Sequence, residues 1–63
     1  MSGADLDSQI AHQQKLRRAA LDEAKRYEGQ PLYAALCAYK MQQARRCGEI
    51  IRELCEQRRK LAP

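Results

Sequence analysis

From Pro31 to Leu61 no proline interrupts the chain, and apolar side chains return in the rhythm of one helix face. They fall at Leu32, Leu36, Tyr39, Cys47, Ile50, Leu54 and Leu61, in steps of about three or four residues and their multiples. A neighbouring row of Tyr33, Cys37, Met41, Ala44, Ile51 and Cys55 widens the face. One partner helix does not cover a stripe that broad. A helix is therefore predicted over about 31–61, roughly 45 Å long at about 1.5 Å per residue.

The residues before it carry a weaker stripe: Leu6, Ile10, Leu16, Ala20, Leu21, Ala24 and Tyr27, interrupted by His12, Gln13, Gln14 and Arg17. Ser2 and Asp5 have the spacing of a reciprocal helix cap, and Asp5 and Asp7 suit the positive end of a helix dipole. This first helix is predicted over about 4–28. Gly29 is free to take the left-handed conformation that closes a helix end, and Pro31 suits the first position of the next. A turn at about 29–30 makes the helices antiparallel. The predicted fold class is all-α, a single helical-hairpin domain over 1–63.

Folding at Gly29-Gln30 places residues level when their numbers sum to about 59. Tyr27 then meets Leu32, Ala24 meets Leu36, Ala20 meets Tyr39, Ile10 meets Ile50, and Leu6 meets Leu54. Small residues face large ones, as in well-packed helix layers. Yet two helices in a chain of 63 residues cannot enclose a core of their own. The expected remedy is a four-helix bundle, completed by dimerisation or by docking on a larger assembly. The interface residues expected to serve it are Leu32, Leu36, Tyr39, Cys47, Ile50, Ile51, Leu54 and Leu61.

Charge is unevenly placed. In the first helix Lys15, Arg17, Arg18, Lys25 and Arg26 balance Asp5, Asp7, Asp22, Glu23 and Glu28. The second supplies the excess that brings the chain to +4. In the register above, Lys15, Arg17 and Arg18 fall level with Lys40, Arg45 and Arg46, a candidate basic waist for phosphate or an acidic protein face. The plainer account is a solvated surface with local pairs such as Asp22–Arg26, Arg45–Glu49 and Glu56–Lys60. It carries more weight, because +4 is modest and no aromatic is interleaved for base stacking. Cations at Arg58, Arg59 and Lys60 suit a helix C-terminus.

Little points to chemistry. The three cysteines all lie on the second helix, and Cys37 and Cys47 are about 15 Å apart along it, too far for a disulfide. They are expected to act as small apolar residues. His12 with one cysteine is too small a ligand set for zinc. No glycine-rich phosphate loop is present and a hairpin offers no cleft, so neither catalysis nor a cofactor or small-molecule substrate is expected. No apolar run is long enough to span a membrane, and the start lacks a secretory signal's basic and apolar segments. With an odd cysteine count, the expected compartment is the cytoplasm or another reducing interior.

Two resemblances bear on this plan. In length and architecture, with no motif carried over, it is similar to Rop, the plasmid copy-number regulator. That resemblance implies a dimeric bundle binding RNA or DNA through the basic waist. The run from Gly29 to Tyr39, followed by Ala44-Arg45-Arg46-Cys47, looks like the hairpin of exonuclease VII small subunits, whose interval between the blocks is longer. Neither resemblance identifies the chain. The expected function is a non-enzymatic protein–protein interaction module, a small adaptor, regulator or assembly subunit. Its expected partner is a second copy or a larger protein, with nucleic acid as the alternative and no membrane.

Overall fold

The computed structural model describes residues 2–61, which form two helices: α1 (Gly3–Tyr27) and α2 (Ala34–Leu61). A single 3-10 turn, Pro31–Tyr33, joins them. They pack as an antiparallel hairpin, a rod with principal extents of 50 × 14 × 13 Å. No described helix is long and apolar enough to cross a membrane.

α1 begins where the cap spacing places it, within a residue. The Asp5 N–H donates to Ser2 Oγ at 3.3 Å, and the Asp5 carboxylate accepts from the Ser2 N–H at 3.4 Å and its hydroxyl at 3.0 Å. Amides that the first helical turn leaves without partners are thereby met. At the other end Glu28 is already extended and Gly29 takes φ +79°, the left-handed conformation that side chains resist. The Gln30 amide donates to the Tyr27 carbonyl at 3.2 Å, while its side chain donates to the Arg26 carbonyl at 3.1 Å. Pro31 then opens the 3-10 turn, which the Tyr33 N–H closes onto the Gln30 carbonyl at 3.0 Å. The Tyr27 and Tyr33 rings, 5.0 Å apart, pack across the corner.

That corner shifts the register. Ala24 meets Cys37, whose thiol donates to the Ala24 carbonyl at 3.4 Å. Glu23 meets Lys40 at 2.9 Å, and Asp7 meets Arg58 at 3.0 Å. Those numbers sum to 61, 63 and 65, so these α1 residues meet α2 two to six residues later than a sum near 59 places them, the longer offsets being spanned by long charged side chains. The tight turn uses up residues before α2 begins, which moves each level of α1 further along α2.

The core is a narrow seam. Leu6, Ala20, Ala24, Ala44 and Leu54 are the buried apolar residues among those described. Three alanines let the backbones approach near the middle and the corner, and two leucines fill the open end. Tyr39, expected to face Ala20, is 54% exposed and so lies outside the seam. Arg58, expected only to suit the helix terminus, instead ties the open end to Asp7.

Candidate interaction grooves

Two antiparallel helices leave a groove on each side of their seam. Successive helical residues point about 100° apart, so neighbours in sequence such as Leu16 and Arg17, or Arg46 and Arg45, line different grooves.

The first groove is mainly apolar. From α1 it takes Leu16, Ala19, Ala20 and Glu23, and from α2 Tyr39, Lys40, Gln43, Arg46, Cys47 and Ile50. Leu16 is 44% exposed, a large apolar group open to water beside Tyr39. The Tyr39 hydroxyl accepts from Gln43 Nε2 at 3.1 Å, which holds its polar tip on its own helix. At one end the Lys40 ammonium bonds the Glu23 carboxylate. That hydrogen bond, reinforced by the opposite charges, holds Glu23 below its ordinary pKa and Lys40 above its own.

The second groove is framed by arginine. Arg17 and Leu21 line it from α1, and Met41, Ala44, Arg45, Gly48, Glu49 and Arg52 from α2. Among the described residues none of these three arginines has a carboxylate within ion-pair distance.

The expected interface residues do not form one face. Tyr39, Cys47 and Ile50 line the apolar groove. Leu36 and Ile51 are half-buried. Leu54 is closed off at 8% exposure, so it belongs to the hairpin's own seam and no partner reaches it as expected. Leu32 is 92% exposed at the corner and Leu61 51% exposed at the far end of the rod, each away from the grooves.

Nor does the basic waist converge. Arg17 and Arg45 share the second groove, whereas Lys40 and Arg46 lie in the first, with Lys40 already paired. Lys15 and Arg18 are exposed and line neither. The anticipated local pairs Asp22–Arg26, Arg45–Glu49 and Glu56–Lys60 do not close among the described residues, where Glu56 pairs with Arg59 at 2.9 Å instead.

Among the groove residues outside the expected interface and waist, Leu16 and Arg52 matter most. Leu16 is part of the α1 stripe, but periodicity on its own helix does not show that it opens onto a groove. Arg52 stands seven residues after Arg45, about two turns on the same face, and that spacing was legible. The cysteines are unpaired: Cys37 and Cys47 half-buried, Cys55 exposed. His12 is exposed on α1. No known protein family, curated protein or solved structure matches the chain.

Proposed function

We propose that the chain is a non-enzymatic interaction module that docks helices onto its apolar groove, with a second copy completing a four-helix bundle as the primary assembly. One observation carries this reading. Among the described residues the seam buries only two large side chains, Leu6 and Leu54, while Leu16 and Tyr39 stay open to water between the helices. A hairpin of this size gains stability chiefly by covering such a surface. Cys47 and the half-buried Ile50 extend it. Docking on a larger protein as a small subunit uses the same groove. The cytoplasm or another reducing interior suits three unpaired cysteines.

Sedimentation across micromolar concentrations tests the proposal. The expected species is heavier than the 7.2 kDa chain, and Leu16→Glu with Ile50→Glu disperses it. A cooperatively folded, helical monomer over that whole range overturns it. The alternative, a Rop-like regulator binding RNA or DNA, draws on the unpaired arginines. It is the lesser reading because only Arg17 and Arg45 of the six waist residues share the second groove.

A further inference from the structure

We infer that the second groove, on the other side of the seam, is a docking slot for an acidic amphipathic helix of a partner protein. The inference rests on the reading of the chain as an interaction module, but it concerns a different surface and a different occupant.

The first observation is Gly48. A glycine in the interior of a helix costs about 1 kcal/mol against alanine, so its place in α2 calls for a reason. Internal packing does not supply one. A Cβ built there meets only Arg17 Nε, at 3.8 Å, an ordinary contact. What the missing side chain leaves is bare backbone at the groove floor, one turn from the small, buried Ala44. A foreign helix can approach closely there.

The second observation is independent and electrostatic. Arg17 comes from α1, Arg45 and Arg52 from α2, and Glu49 is the one acid among the groove's lining residues. None of the three guanidinium groups has a carboxylate partner among the described residues. Guanidinium groups bind carboxylates and phosphates in fork geometry, so the slot selects an anionic occupant.

The floor decides which anion. Leu21 and Met41 line it, and Met41 is 51% exposed. A sugar–phosphate backbone has nothing apolar to lay over them, and no aromatic lines the groove for base stacking. A helix with an alanine–leucine stripe flanked by glutamates satisfies both floor and rim. A second copy of this chain, at +4, brings more cations than carboxylates and suits the slot poorly.

Fluorescence anisotropy of a labelled synthetic helical peptide, an Ala/Leu stripe flanked on both sides by Glu, tests the inference with the full chain. The wild type should bind it, bind its Glu→Gln counterpart far more weakly, and lose affinity as salt rises. Gly48→Leu fills the slot without changing its charge, though it packs beside Arg17, and should weaken binding at least about tenfold. Arg45→Gln with Arg52→Gln should do the same without altering packing, which keeps the test decisive if the leucine variant loses helicity. Three results overturn the inference: no peptide binding by a wild type that keeps its assembled mass, unchanged affinity in both variants, or tighter binding of a labelled RNA hairpin than of the peptide. The first leaves the apolar-groove assembly standing, whereas a monomeric wild type that binds the peptide supports the slot and removes that assembly.

Discussion

Residues that the hairpin does not need are the ones that speak to partners. Gly48 is such a residue: alanine fits there without crowding and should raise stability by about 0.5–1 kcal/mol from helix propensity, read from the denaturation midpoint. A lower midpoint would mean that another chain closes on this position in solution. The Glu23–Lys40 pair makes the opposite point, being used within the fold. Glu23 titrates low, so its contribution is present above the unfolded carboxylate's pKa and is lost as pH falls through the folded one. Lys40 titrates high, so its share is complete below the unfolded lysine's pKa and disappears as pH rises through the folded one. Both contributions are therefore complete at neutral pH. Melting curves between about pH 5 and 3 should show the wild type losing an increment of stability that Glu23→Gln lacks. The two groups are solvent-accessible, so the increment is small.

At the scale of elements, each helix is held at its ends by different means. α1 starts on the Ser2–Asp5 cap, and Ser2→Ala should cost about 0.5–2 kcal/mol. The open end depends on packing more than on charge. Leu6→Ala or Leu54→Ala should each cost about 2–4 kcal/mol, because neither buried site can collapse easily around the lost methyl groups. Arg58→Ala removes only an exposed tie to Asp7 and should cost under about 0.5 kcal/mol. Urea denaturation of the four variants checks the order, and an Arg58 effect as large as that of Leu54 would mean that the tie is shielded from solvent. The corner is the third element. Gly29 sits at φ +79°, and a β-branched residue there strains the turn that sets the register.

For the whole molecule the deciding quantity is how little the rod buries. A seam of three alanines and two leucines leaves the stability of an isolated hairpin marginal. Association that covers the apolar groove should make the melting temperature rise with protein concentration. Melting at concentrations spanning about two decades checks this, and a constant midpoint would count against self-association. Leu16→Glu should abolish the dependence while leaving Leu6 and Leu54 to hold the seam.

Much of this was legible in the residues alone, for a local reason. Helix periodicity, the Ser2–Asp5 spacing, and the Gly29-Gln30-Pro31 break are each settled by neighbours within a few positions, so the two helices and their antiparallel order follow from sequence. Facing residues are another matter. Their identity depends on how many residues the corner consumes, and the 3-10 turn at Pro31–Tyr33 displaces the pairings by two residues or more. With that shift Arg58 reaches Asp7, while Leu54 stays buried in the seam at the end where Leu6 lies, as a sum near 59 places it. The basic waist is divided between two grooves for a local reason, the step of about 100° per residue that sends Arg45 and Arg46 to different sides of α2. Periodicity told which residues share a helix face. Only the packing of α1 on α2 decided which part of that face the hairpin buries and which part it leaves for another chain, because burial depends on the partner helix's position as well as on the residue's own.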